Sequence, residues 1–201
     1  MNRMGLWGMG LILGLFAIPA LAIENGQPAP DFSLQDIQGK PMTLGQLRGK
    51  FVVLEWINHG CPFVKKHYDS GNMQALQKEV TAKGVLWMSI CSSAEGKQGH
   101  MKPSEWRKVA KEKGGAATSI LLDDWGKVGT RYGAKTTPHM FVIDPNGILI
   151  YQGAIDDTPS ADAEDVKGAV NYVRTALNEA LEGKPVSTPT TKPYGCGVKY
   201  K

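Results

Sequence analysis

The chain has 201 residues, 42% of them hydrophobic and 21% charged. That is enough for one well-packed domain and too few for two ordinary ones. The formal net charge of +4, from 23 Lys and Arg against 19 Asp and Glu, is spread along the chain without a basic block, which argues against a nucleic-acid surface.

The first 22 residues stand apart. Arg3 supplies a positive start, and Leu11, Ile12, Leu13, Leu15, Phe16, Ala17 and Ile18 form an apolar run. Pro19 breaks it, and Ala20-Leu21-Ala22 places small residues where a signal peptidase reads. The pattern predicts a secretory signal cleaved after Ala22. The rival reading is a retained N-terminal anchor, for which the run is short. A cleaved signal implies a periplasmic or secreted protein with no stable membrane insertion. Cys61, Cys91 and Cys196 all lie beyond it, in a compartment where disulfides persist. With three cysteines, at least one has no intramolecular partner.

Residues 23–30 form a polar lead, followed by a strand-like piece at Phe32-Ser33-Leu34 and a turn at Gln38-Gly39-Lys40. Thr43 is placed to cap a short helical turn through Leu47. Phe51 to Ile57 is nearly continuously apolar, as expected of a strand buried on both faces of a parallel sheet. Helical sequence then runs from about Pro62 to Lys83, with a break near Ser70-Gly71. Val85–Cys91 reads as a second buried strand, Pro103–Lys113 as a helix started by its proline, Ser119–Leu122 as a short strand and Asp124–Tyr132 as a short helix. Thr137-Pro138 leads into a strand at Met140–Ile143, and Asp144-Pro145-Asn146-Gly147 turns the chain into a returning strand, Ile148–Ala154. A helix over about Asp162–Leu181 and a Pro/Thr-rich tail, 183–201, close the chain. This order predicts one three-layer α/β domain over 23–182 with a mixed sheet, extended by strands before residue 50.

Chemistry centres on Cys61. It falls where a buried strand ends and a helix begins, with Pro62 suited to the first helical position. Free N–H groups and the helix dipole at such a junction favour a thiolate, and open α/β sheets place active sites at these strand ends. The bland alternative is an inert cysteine buried in a tight turn.

Pro30-Asp31-Phe32, the run Gly49 to Trp56, Cys61-Pro62, Thr137-Pro138 and Phe141 to Gly147 occur in an order that resembles the redoxin family, which includes alkyl-hydroperoxide-reductase-type peroxiredoxins and their thioredoxin-like relatives. The resemblance covers about residues 28–182. It is nearest to a peroxiredoxin-like branch with Asn-His-Cys-Pro at the site and a Gly-Cys tail, read here as Asn58-His59-Gly60-Cys61-Pro62 and Gly195-Cys196-Gly197-Val198-Lys199-Tyr200, with Gly60 inserted. It implies a thioredoxin-like α/β/α sandwich and a thiol-dependent oxidoreductase or antioxidant protein that needs no cofactor. Val64 stands where thioredoxins carry their second cysteine, so a local dithiol cycle is impossible. Residues 53–60 also lack the Pro and Thr of peroxidatic sites, which puts peroxidase activity in doubt.

On the same resemblance Pro138 is the cis-proline facing the active cysteine, although an ordinary trans strand-start proline fits the sequence too. Thr137, His139, Pro62 and His59 would border a substrate groove. Glu55, inside the apolar strand, matches an acid that moves the thiol proton; otherwise it lies on the strand's polar edge. Cys91 and Cys196 are candidate resolving thiols. Cys91 shares the strand-end edge with Cys61 if the two strands are parallel, and is otherwise a small core residue. For Cys196, a last helix of about 20 residues carries the chain roughly 30 Å away. From Gly183 an extended chain of about 40 Å can bring it back, unless the end is disordered. His59, His67, His100 and His139 with Met101 or Met140 could form a soft-metal, copper-type site, but no His-x-His or Cys-x-x-Cys spacing supports one. Expected partners are a thiol- or disulfide-bearing client and an external thiol reductant. The competing class is a non-enzymatic copper- or client-binding protein of the same fold.

Overall fold

The computed structural model describes residues 23–201; the expected signal segment, 1–22, lies outside the described residues. The central sheet has seven strands: β1 (Ser33–Asp36), β2 (Pro41–Thr43), β3 (Val52–Trp56), β4 (Leu86–Cys91), β5 (Ser119–Leu122), β7 (His139–Ile143) and β8 (Leu149–Gly153), in the order β2-β1-β5-β4-β3-β7-β8. β3, β4 and β5 are parallel; β7 runs antiparallel to β3, and β8 returns beside β7. β1 and β2 extend the β5 edge antiparallel, which is the expected N-terminal extension. A separate two-residue pair joins β6 (Thr136–Thr137) to β9 (Cys196–Gly197).

All five residues of β3 are buried, because both faces of the sheet are covered. Val53 and Ile57 face a layer formed by α1 (Pro62–Asp69), α2 (Asn72–Ala82), α3 (Pro103–Lys113) and α5 (Tyr172–Leu181). Val52, Leu54 and Trp56 face the other layer, where α4 (Lys127–Tyr132) contributes Val128 and Tyr132 and a 3₁₀ turn contributes Leu44 and Leu47. Thr43 caps that turn, as its sequence predicts, and the structure adds a reciprocal bond from Gln46 that completes a capping box. α1 and α2 separate at Gly71, whose φ of +77° places it in the left-handed region that favours glycine.

The last helix differs from expectation. It has ten residues, not about twenty, and starts only at Tyr172, where the Asn171 side chain accepts from the Arg174 N–H. A 3₁₀ turn at Glu164–Val166 and Gly168 at φ +86° occupy the preceding stretch. The helix therefore moves the chain about 15 Å, half the expected distance.

The tail also departs from a dangling end. Thr191 N–H donates to Gln152 O (3.1 Å), Gln152 N–H to Pro189 O (3.0 Å), Val198 N–H to Lys135 O (3.1 Å) and Ala94 N–H to Lys199 O (2.9 Å). Residues 189–199 are thus stitched to β8, to the segment before Pro138 and to the loop after β4. Tyr200 ends the wrap, packing on Gly126 and Gly129 and donating to Ala134 O.

Candidate active site

β3 delivers the chain to Asn58, whose side chain folds back to accept from Gly60 N–H (2.8 Å) and donates to Gln98 O (3.2 Å). Gln98 returns a bond to Gly60 O (3.1 Å). The inserted Gly60 fits this clasp tightly, since a Cβ there would lie 3.0 Å from Gln98 Cγ. Cys61 is then the N-cap of α1, Pro62 is in the first turn, and Val64 and Lys65 N–H donate to Cys61 O.

The Thr137-Pro138 peptide is cis, as expected. Cys61 Sγ lies 3.1 Å from Thr137 O, within reach for the thiol to donate. Thr137 pairs with Cys196 in the β6–β9 ladder, and its hydroxyl donates to Cys196 O (3.4 Å). Cys196 is thereby seated next to Cys61, since the residue it pairs with, Thr137, is the one whose carbonyl oxygen Cys61 Sγ approaches. Cys61 is 0% exposed. Gly195 makes this closure possible: its φ is +132°, and a Cβ there would lie 2.1 Å from Thr137 O.

The two thiols are set apart electrostatically. Burial pushes Cys61 up, but hydrogen bonds from Cys196, Thr137 and the Val64 N–H outweigh it and hold the thiol below the ordinary value. Burial pushes Cys196 up to about 11, reinforced by its hydrogen bond to Cys61 and by the charge there. Of the two thiols, Cys61 is the one whose surroundings favour the thiolate and Cys196 the one whose surroundings favour the protonated form.

Other expected site residues lie elsewhere. Cys91 is at the expected sheet edge but buried, donating to Gly99 O (3.5 Å), with its thiol pushed up by burial. The β6–β9 pair brings Cys196, and not Cys91, to Thr137 beside Cys61. His139 does not border a groove with Cys61. Strand alternation turns it to the opposite face, its ring centroid 4.5 Å from that of Phe141 and its Nδ1 accepting from Lys135 N–H. His59 likewise turns away, between Tyr68 and Trp106, into a cavity of about 230 Å³ also lined by Ile57, Ser89 and Ser119. Pro62 is exposed beside Cys61.

Glu55 is fully buried rather than on a polar edge. Its carboxylate accepts from Trp87 Nε1 (2.8 Å), Ser89 Oγ (2.8 Å), Tyr68 Oη (3.1 Å) and Gln77 Nε2 (3.3 Å). Burial raises its pKa, those donors oppose the rise, and Cys61 is not among them. The hydrogen bonds of Glu55 tie β3 to β4, α1 and α2 rather than reaching Cys61. Among the described residues no group of three or more His, Cys, Asp or Glu side chains converges as a metal site.

Sequence reasoning passed over Lys66, Asp156 and Tyr194, and saw His67 only as a possible metal ligand. These four form a buried polar cluster beside Cys196. The one legible signal was a Lys-His pair inside the helix that Cys61 caps.

A parallel β3-β4-β5 core, a cis-proline and a cysteine capping the helix after β3 define a thioredoxin-like protein. The chain belongs to the AhpC/TSA family, whose model matches residues 25–152. It is 26% identical over 129 residues to the thioredoxin-like protein YneN of Bacillus subtilis (strain 168), covering 64% of this chain and 71% of that protein. An uncharacterised conserved protein from Geobacillus kaustophilus superposes with a TM-score of 0.75 at 28% identity, over 89% of this chain and 93% of that one. A putative thiol:disulfide interchange protein DsbE from Chlorobium tepidum shares the fold at TM-score 0.52 and 24% identity, over 65% of this chain and 85% of that one.

Proposed function

We propose that this is an exported thiol–disulfide oxidoreductase in which Cys61 attacks and Cys196 resolves. The observation that carries the reading is the seat of Cys196 against Cys61, built by the β6–β9 pair. Family membership and the thioredoxin-like relatives agree with it, and the signal pattern of residues 1–22 supports export.

In the proposed cycle the Cys61 thiolate attacks one sulfur of a client disulfide. The client S–S bond breaks, its other sulfur leaves as a thiolate and takes up a proton, and a mixed disulfide forms. Cys196 loses its proton and attacks Cys61, releasing the second client thiol and closing a Cys61–Cys196 disulfide. The client gains two electrons, and an external dithiol returns two to the protein. Because Cys61 is covered, a client reaches it as β9 (Cys196–Gly197) lifts. A hydroperoxide could replace the client: its terminal oxygen would pass to Cys61 as a sulfenic acid with an alcohol leaving, and Cys196 would condense with that acid to release water.

Non-reducing peptide mass spectrometry after treatment with a disulfide client tests the reading. The expected product is a Cys61–Cys196 linked peptide pair, with Cys196→Ser trapping the mixed disulfide on Cys61 and Cys61→Ser inert. Equal client reduction by Cys61→Ser would refute it. N-terminal sequencing of the exported protein should begin at Ile23.

A further inference from the structure

The tail is held on both sides of Gly195. On one side Cys196 pairs with Thr137. On the other, Tyr194 enters a cluster built on α1, the helix that Cys61 caps. Lys66 and His67 of α1 and Asp156, in the loop after β8, are each no more than 2% exposed. Asn72 Nδ2 lies 2.9 Å from His67 Nδ1, which makes that nitrogen the acceptor and leaves the ring proton on Nε2. His67 Nε2 then donates to Tyr194 Oη (3.2 Å), and Tyr194 Oη donates to Asp156 Oδ1. Lys66 Nζ donates to Thr158 O (2.7 Å), stands 3.9 Å from Asp156 Oδ2 and lies 5.7 Å from the centre of the Tyr194 ring, which Phe63 flanks at 5.9 Å. Burial pulls His67 down to about 4, despite Asp156, so the imidazole is neutral and directional at ordinary pH.

Burying a lysine, a carboxylate and a histidine is a poor way to gain stability, since apolar side chains of similar volume do as well or better. What such a cluster supplies is placement, and the segment it places carries the second thiol. We propose that Asp156 and His67 are positioning residues for the resolving step: by clasping Tyr194 they hold Cys196 at Cys61. The proposal rests on Cys196 as the resolving thiol and adds what keeps it there. An ordered tail gives that thiol a high effective concentration, whereas a loose one must search for Cys61.

The test is the equilibrium of the Cys61–Cys196 disulfide in graded glutathione buffers, read by alkylation and mass. Tyr194→Phe keeps the ring against Phe63 and Lys66 but removes both clasping hydrogen bonds. It should lower the equilibrium constant for disulfide closure about tenfold, a potential about 30 mV less negative. Asp156→Asn should shift it in the same direction. Tyr132→Phe, which deletes a remote hydroxyl donating to Pro30 O, should leave it unchanged. Thermal melts of the reduced variants establish that each is folded. A wild type that closes the disulfide with Tyr194→Phe unchanged, or with Tyr132→Phe shifted equally, overturns the clasp alone. A wild type whose two thiols never pair overturns both the clasp and the reaction it serves.

Discussion

Closing the Cys61–Cys196 disulfide should stabilise the protein by an amount the chain itself sets. Cys196 already pairs with Thr137, whose carbonyl oxygen lies 3.1 Å from Cys61 Sγ, so the cross-link acts mainly on the unfolded chain. It would close a loop of about 135 residues, which in the chain-entropy account is worth about 5 kcal/mol at 25 °C. For a domain of this size each kcal/mol moves the melting point by about 2–4 °C, so the oxidised protein should melt about 10–20 °C above the reduced one. Calorimetry of the protein after oxidation by a mild disulfide, with and without a dithiol, reads the difference directly. Cys196→Ser should abolish it, whereas Cys91→Ser should keep it. A melting point that ignores oxidation, while mass spectrometry shows the pair linked, would refute the reasoning: the tail would then stay loose in the folded state, against the hydrogen bonds that tie it down.

Gly195→Ala should uncouple the thiols without unfolding the domain, because a Cβ 2.1 Å from Thr137 O pushes the tail off β6; the readout is slower disulfide closure at an unchanged rate of Cys61 alkylation or a faster one. Acid should destabilise the fold. His59 and His67 are lowered to about 4 and His139 to about 3, in each case chiefly by burial, from an ordinary 6.5. Between pH 6.5 and 4 the unfolded chain therefore takes up protons that the folded one refuses, so stability falls with pH across that window. At pH 4.5 each histidine costs up to about 3 kcal/mol, measurable by urea titration and removed in part by His139→Gln. Glu55→Gln sets an amide NH₂ among four donors and should cost about 2 kcal/mol in urea. The pH profile of Cys61 alkylation should stay in place, and a displaced profile would return Glu55 to the reactive centre.

Elements were legible wherever the signal was local. The apolar run before Cys61 reads as a strand covered on both faces, Thr43 reads as a cap, and Ser70-Gly71 reads as the break that separates α1 from α2. The last helix starts later than its sequence predicts, although most of residues 162–167, Asp-Ala-Glu-Asp-Val-Lys, are compatible with a helix. Gly168 and the cap at Asn171 decide its start, and those are single-residue events inside a weak pattern. His139 was placed on the wrong side of the sheet because a strand reverses its side chains at every residue, so an error of one position exchanges the faces.

By itself, the sequence determined that one α/β domain forms, that a cysteine caps the helix after its central strand, and that no neighbouring thiol can serve it. Those facts depend on spacing within a few residues. Only the tertiary structure decided which distant thiol meets Cys61, that Glu55 joins a network apart from it, and that Lys66, His67, Asp156 and Tyr194 converge beside the tail. Such pairings span up to about 135 residues of chain. They are set by where β7, β8 and a ten-residue final helix deliver the backbone, and by a glycine small enough to let the last strand lie against Thr137.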